Sequence, residues 1–163
     1  MHNLFMKKIL LLSSLVLGDQ FSKLLITKNL LPGQNINILP FFDLYLIFNT
    51  GIAFSLFNDG GNFGRWVLVL LVLLVCLYLL YVLISEEPRK YETLALLMIL
   101  SGGFGNLIDR VLWGHVIDFI HLYYENYSFY IFNLADTFIT IGVIIYILDL
   151  LAIKLVSNAN TTS

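Results

Sequence analysis

Charge is scarce in this sequence. Only 12% of its 163 residues are charged, whereas a typical soluble domain carries about 25%. Hydrophobic residues make up 59% of the chain, and the mean hydropathy is +0.86. These figures argue against a soluble globular domain. The nine Lys and Arg residues also form no basic block that could neutralise a row of phosphates, so we expect no nucleic-acid partner.

Cysteine is nearly absent as well. The single Cys76 lies within the apolar run Leu73-Leu74-Val75-Cys76-Leu77. One cysteine excludes an internal disulfide and a cysteine-based zinc cluster. We interpret Cys76 as an inert apolar thiol, because a free cysteine behaves as a small hydrophobic residue.

The sequence is rich instead in long apolar runs. A transmembrane helix needs about 20 mostly apolar residues, and four segments reach or approach that length, at about 9–27, 66–84, 93–110 and 137–154. The first contains Asp19 and Lys23, each of which costs about 2.5–3.5 kcal/mol at mid-membrane and needs compensation. We predict an all-α membrane protein with four transmembrane helices, in a single domain over residues 1–163.

Positive charge predicts the orientation of the four spans, because cytoplasmic loops are enriched in Lys and Arg. In a four-span zigzag one side carries most of these residues, namely Lys7, Lys8, Arg89, Lys90 and Lys154. Both termini are therefore predicted to be cytoplasmic. The start of the chain imitates a secretory signal peptide, but no small-x-small cleavage site follows, so we interpret it as a retained span.

Two segments on the outer side differ from simple loops. Segment 28–65 contains Pro32, Gly33 and Pro40 together with many aromatic and β-branched residues, which predicts a small extracytoplasmic β-sheet at the membrane interface. Its Asn49-Thr50-Gly51 step predicts a turn. Segment 111–136 is apolar and aromatic but too short to cross the membrane twice, so we predict a re-entrant or interface-lying piece.

Polar residues of three spans are predicted to meet toward the outer face. At 1.5 Å per residue, Asp19 lies roughly 16 Å above Lys8 and Asp109 roughly 24 Å above Thr93, so both pass the middle of an apolar core about 30 Å thick. Ionisable residues at such depth usually mark a functional site. Asp19 and Lys23 are spaced i, i+4 and can form an ion pair.

Simpler roles are compatible with the same pattern. The Asp19–Lys23 pair can be purely structural, and Arg110 can snorkel to the interface. The glycines of Gly102-Gly103-Phe104-Gly105 can serve close helix packing. Asn106 follows one turn after Gly103, and its amide needs partners in lipid, so we expect it in the same polar cavity as Asp109.

Two aspartates in apolar surroundings are the strongest candidates for chemistry. Asp118 lies in the segment 111–136, and Asp136 lies at the head of the fourth span. If their oxygens approach each other, repulsion leaves one proton on the pair, and one member can then take a proton from water while the other donates one to a carbonyl oxygen. The sequence does not itself place them together. A metal site at His115, Asp118 and His121, or a Ser22–Lys23 nucleophile, fits the spacing less well.

Five blocks of this sequence resemble, in order and spacing, those of the bacterial lipoprotein signal peptidases, also called signal peptidase II. The resemblance covers about residues 9–154. The blocks are Asp19-Gln20-x-x-Lys23, Asn49-x-Gly51-x-Ala53-Phe54, Gly102-x-x-Gly105-Asn106-x-x-Asp109-Arg110, Val116-x-Asp118-Phe119 and Phe132-Asn133-x-Ala135-Asp136.

The resemblance implies an aspartic endopeptidase of the bacterial plasma membrane, with its active site near the outer face. Such enzymes remove signal peptides from prolipoproteins, cutting before the diacylglyceryl cysteine, and are targets of globomycin. Their partners are the lipid-modified substrate and membrane lipids, and we expect a monomer without cofactor or metal. Carried over by motif, the catalytic pair is Asp118 and Asp136, and the supporting residues are Asp19, Lys23 and Asp109. The implied substrate-binding residues are Asn49, Gly51, Asn106, Arg110 and Asn133.

Two other function classes fit a four-span chain. A small proton-coupled transporter would use an acid such as Asp19 near mid-membrane and tolerate changes at Asp118. A non-catalytic assembly factor would hold partners with its sheet and tolerate the loss of both Asp118 and Asp136.

Overall fold

The computed structural model describes residues 2–51, 63–86 and 88–161, with the side chains of His2, Leu4 and 154–161 left out of the description. Within these residues, four helices are long and apolar enough to cross a membrane. They are α1 (His2–Asn29), α2 (Phe63–Ser85), α3 (Lys90–Leu112) and α4 (Leu134–Thr161). Each contains one of the four predicted spans, so the four-helix membrane architecture predicted from the sequence is confirmed.

A small antiparallel sheet accompanies the helices, in the order β1-β2-β3-β4. Its strands are β1 (Asn35–Leu39), β2 (Phe42–Asn49), β3 (Val116–Tyr124) and β4 (Tyr127–Ser128). The first two lie in segment 28–65, where the sheet was predicted. The other two come from segment 111–136, where a re-entrant or interface-lying piece was predicted and no strand. Residues Val116 to Phe119 are all buried, so β3 lacks the alternation that identifies a half-exposed strand.

The predicted turn at the end of β2 is present. Gly51 has φ +85°, a conformation that glycine adopts without steric cost, and its N–H donates to Asn49 Oδ1 at 2.9 Å. The next residues of this sequence block, Ala53 and Phe54, lie outside the described residues.

Helix α3 is the central helix of the fold. It contributes Leu96, Leu97 and Leu100 to a buried cluster with Cys76 and Leu83 of α2. A second cluster joins the end of α1 to the inner side of the sheet and consists of Leu30, Leu46, Ile117 and Phe119. Because α3 leads directly into β3, and β3 returns through β4 to α4, the polar ends of α1, α3 and α4 are brought together next to β3.

The C-terminal end of α3 is held by an arginine of α2. Arg65 donates from Nε to Arg110 O at 2.7 Å and from Nη2 to Val111 O at 2.6 Å. These carbonyls belong to the last turn of α3, beyond which no further helical turn supplies N–H donors to them. Arg65 therefore satisfies the helix end next to the start of β3, and it also lies against Gly114, which has φ +84°.

Candidate active site

The deepest feature of the site is a buried ion cluster between α1 and α3. Lys23 Nζ lies 2.8 Å from Asp19 Oδ2, 2.8 Å from Asp109 Oδ2 and 3.1 Å from Asn106 Oδ1. An ammonium group has three donors, so each has one acceptor here. The side chains of Lys23, Asp19 and Asp109 are at most 1% exposed. The predicted Asp19–Lys23 pair is thus formed and joined by two residues of α3.

Gln20 completes this cluster, although no site role was predicted for it from the sequence. Its Nε2 lies 2.9 Å from Asp109 Oδ1, 3.1 Å from Gly105 O and 3.2 Å from Asp19 Oδ2. The signal that could have revealed it is its position three residues before Lys23, which places both on one face of α1.

Glycines of α3 allow the other two helices to approach the cluster. A Cβ at Gly105 would lie 2.5 Å from Asp19 Oδ2, and a Cβ at Gly102 would overlap Ala135 O of α4. The interpretation of these glycines as close-packing residues is therefore confirmed, and it has a consequence for the site. The close approach brings the head of α4, with Asp136, against the polar end of α3.

Gly102→Ala is expected to destabilise the folded protein by about 1–3 kcal/mol, because the new methyl group meets backbone that cannot turn away. Thermal unfolding in detergent, followed by circular dichroism, measures the effect as a lower midpoint temperature. Gly18→Ala is the matched control, since a Cβ at Gly18 meets nothing within 4 Å. Equal midpoints for the two variants would contradict this account of α3–α4 packing.

Asp118 lies on β3 and is almost fully buried. Its Oδ2 accepts a hydrogen bond from Asn49 Nδ2 at 2.9 Å, and its Oδ1 accepts one from Asn133 Nδ2 at 2.7 Å. Burial, together with the charge of Asp136, raises the pKa of Asp118 to about 6 against the opposing effect of the hydrogen bonds from Asn49 and Asn133. Gly51 orients the side chain of Asn49. Its N–H donates to Asn49 Oδ1, so Asn49 Nδ2 is the atom that faces Asp118.

Asp136 lies in the first turn of α4, in a reciprocal capping arrangement. Asn133 Oδ1 accepts from Asp136 N at 2.9 Å, and Asp136 Oδ2 accepts from Asn133 N at 3.1 Å. Asn106 Nδ2 donates to the other oxygen, Asp136 Oδ1, at 2.8 Å. The N-terminal end of the α4 dipole, which attracts negative charge, also lies here.

Asn133 joins the two aspartates. It is fully buried, and it donates to Asp118 through its side chain and to Asp136 through its backbone N–H. Its Nδ2 also lies 3.1 Å from Asn106 Oδ1. The structure therefore brings the carboxylates of Asp118 and Asp136, which are 18 residues apart in sequence, to one residue, Asn133.

Arg110 lies half-buried beside this group. Its Nη1 is 3.5 Å from Asn106 O, and its Nε is buried without a hydrogen-bond partner among the described residues. A buried guanidinium N–H that lacks a partner costs free energy, so this donor is suited to an incoming acceptor.

The two histidines near Asp118 have other neighbours. The ring of His115 lies 4.2 Å from that of Phe48, and burial lowers the pKa of His115. His121 Nε2 lies 2.7 Å from Ser128 Oγ, at the hairpin end of the sheet. The structure thus does not bring His115, Asp118 and His121 together, and the alternative of a metal site there is wrong.

Comparison with known proteins agrees with these motifs. The family model for signal peptidase (SPase) II matches residues 11–152. The lipoprotein signal peptidase of Cupriavidus pinatubonensis is 39% identical over 134 residues, covering 82% of this chain and 76% of the relative. That of Neisseria gonorrhoeae is 36% identical over 142 residues and covers 86% of each chain.

Two solved structures are similar to the fold. Both are described as bacterial membrane enzymes, and both are 31% identical to this chain. The first has a TM-score of 0.79 and covers 89% of this chain and 92% of its own. The second has a TM-score of 0.75, with 90% and 88% covered.

Proposed function

The chain belongs to the signal peptidase II family of membrane peptidases, and on this premise we propose that it removes signal peptides from diacylglyceryl-modified prolipoproteins. Cleavage occurs before the lipid-modified cysteine. The observation that carries the proposal is the pair Asp118 and Asp136, held on the two sides of Asn133 at the polar end of three transmembrane helices. We expect the site near the outer face of a bacterial plasma membrane, with both termini cytoplasmic.

The two aspartates divide the acid and base roles. Asp136 is the base, since both of its oxygens accept hydrogen bonds, from Asn106 Nδ2 and from the N–H of Asn133, at the N-terminal end of the α4 dipole. Asp118 is the acid, because burial raises its pKa to about 6 and so keeps the proton on it in weakly acidic solution. This division is the pattern of paired carboxyl groups whose environments separate their protonation states.

Hydrolysis follows from this division without a covalent enzyme intermediate. Asp136 takes a proton from water as the water oxygen bonds to the scissile carbonyl carbon, and Asp118 gives its proton to the carbonyl oxygen. The tetrahedral diol then collapses. The C–N bond breaks, Asp136 returns its proton to the leaving amine nitrogen, and Asp118 recovers a proton from the hydroxyl that becomes the new carboxyl group. No metal or organic cofactor takes part.

The remaining polar residues hold the substrate and orient the aspartates. We place Arg110 against a substrate carbonyl, because its Nε has no partner in the described part of the chain. Asn49 contacts the substrate backbone from the exposed end of β2, in a position that Gly51 fixes. Asn106 and Asn133 line the same site, and Asp19, Lys23 and Asp109 support it. One chain provides all of these groups, which fits a monomeric enzyme that receives its lipid-bearing substrate from the membrane.

Cleavage by the purified protein tests this function. In detergent, we expect it to cut a diacylglyceryl prolipoprotein before the modified cysteine, as read by mass spectrometry of both products. The same precursor without diacylglycerol is the control, and we expect it to be cut more than about tenfold more slowly, because remote binding energy of the substrate contributes to the rate. Equal rates for the two precursors would remove the lipid from the mechanism, and no cleavage of either would overturn the proposed function.

A further inference from the structure

The buried ion cluster reaches both aspartates through the backbone. Asp19 Oδ1 accepts from the N–H of Ala135 at 2.9 Å, and Asp109 Oδ2 accepts from the N–H of Ile117 at 3.1 Å. Ala135 and Ile117 are the residues directly before Asp136 and Asp118. Each carboxylate of the cluster therefore fixes the main chain one residue away from one of the two aspartates.

Lys23 and Gln20 bind these two carboxylates to each other. Each of the two side chains has one nitrogen close to both Asp19 and Asp109. Without them, two carboxylates would face each other in a buried site, where like charges cannot both stay ionised. The spacing between the Ala135 and Ile117 amides thus depends on donors that come from α1.

Lys23 also sets the direction of the amide side chains. An ammonium group only donates, so the Asn106 atom that faces it must be Oδ1, and Asn106 Nδ2 must then face Asp136. Asn106 Oδ1 accepts in turn from Asn133 Nδ2, which also faces Asp118. One buried cation thereby orients donors toward both candidate catalytic carboxylates.

From these contacts we infer that Gln20 and Lys23 are positioning residues of α1, which set the spacing and hydrogen bonding of Asp118 and Asp136 without touching the substrate. The inference rests on the proposed function for its catalytic consequence, but its structural part is independent of any activity. It gives the predicted supporting residues a specific task and adds Gln20 to them.

Hydrogen–deuterium exchange of the full-length protein in detergent tests the structural part. In Lys23→Met, we expect the Ile117 and Ala135 amides to exchange at least about tenfold faster than in the unchanged protein, since both lose ordered acceptors. Gln20→Leu keeps the Lys23 ion pairs, and it provides the test if Lys23→Met does not fold. We expect a smaller increase in the exchange rate of the same two amides in this variant. Ser22→Ala is the control, because Ser22 Oγ donates within α1, to Asp19 O.

Kinetics of the same folded variants test the catalytic part. We expect kcat to fall about a hundredfold in Lys23→Met and about tenfold in Gln20→Leu, with KM within about threefold, because misplaced catalytic groups slow the chemical step. Unchanged exchange at Ile117 and Ala135 in the folded variants overturns the inference, as does faster exchange with unchanged kcat. If the unchanged protein cleaves no prolipoprotein, the proposed function is wrong. The exchange rates still show whether Gln20 and Lys23 fix the main chain beside Asp118 and Asp136.

Discussion

Asp118→Asn and Asp136→Asn are each expected to lower the rate of prolipoprotein cleavage by at least about a thousandfold. A positioned general acid or base contributes about 10²–10⁴ to a rate, and an amide supplies neither function. Each substitution keeps the size of the side chain and an oxygen that accepts hydrogen bonds. The measurement is single-turnover cleavage of a diacylglyceryl prolipoprotein by the purified variants.

A third aspartate provides the matched control for this pair. Asp43 is also buried and also lies in the sheet, but its partners are Asn37, Tyr123 and His121. Asp43→Asn should therefore retain cleavage within about threefold, which separates loss of the reacting groups from loss of a buried carboxylate in general. If a folded Asp118→Asn or Asp136→Asn variant still turned over substrate at a tenth of the unchanged rate, the pair would not be the catalytic machinery.

The same experiment separates the function classes that the sequence left open. A proton-coupled transporter would depend on Asp19 and tolerate Asp118→Asn, and an assembly factor would tolerate both Asn variants. Asp19 already accepts from Lys23 and from the N–H of Ala135, which argues against a carboxylate that exchanges partners during transport. The family match of the chain to peptidases also favours the catalytic interpretation.

Interactions between residues that are close in sequence could be predicted from the sequence, and interactions between distant segments could not. The spans follow from local hydropathy, and the Asp19–Lys23 pair follows from a spacing within one helix. The position of β3 could not be predicted in this way, because Val116 to Phe119 are buried on both faces and their sequence shows no alternation of apolar and polar residues. The contact of Gln20 with Asp109 joins residues 89 positions apart and depends on how α1 packs against α3.

The convergence of the two aspartates is a tertiary property of the same kind. Asp118 is placed by the pairing of β3 with β2, where it lies opposite Ile47, and Asp136 is placed by the capping turn of α4. Apolar surroundings and the helix start were visible in the sequence. Their meeting at Asn133 was not, because it requires the close approach that Gly102 gives α4.

Substitution of Asn133 is expected to lower kcat. Two variants compare its two tasks, which are to cap α4 and to donate a hydrogen bond to Asp118. Asn133→Ala removes both the helix cap and the donor to Asp118, whereas Asn133→Asp keeps a capping oxygen, since Asp and Asn are equally good at that position. We expect both to lower kcat about a hundredfold, because both lose the Nδ2 donor that holds Asp118. Asn133→Ala should also lower the midpoint of thermal unfolding, because loss of the cap costs about 1 kcal/mol.

The pH dependence of the same variants gives a signed test of the acid and base roles. If Asp118 must be protonated, kcat/KM of the unchanged enzyme falls as the pH rises through its pKa of about 6. The Asn133 hydrogen bond stabilises the Asp118 carboxylate, so its removal raises this pKa and moves the alkaline limb to higher pH. Asn133→Asp should move the limb in the same direction, because an added negative charge also favours the protonated acid. If instead the acidic limb moved to higher pH and the alkaline limb stayed in place, Asp118 would be the base, and the assignment of the two roles would be reversed.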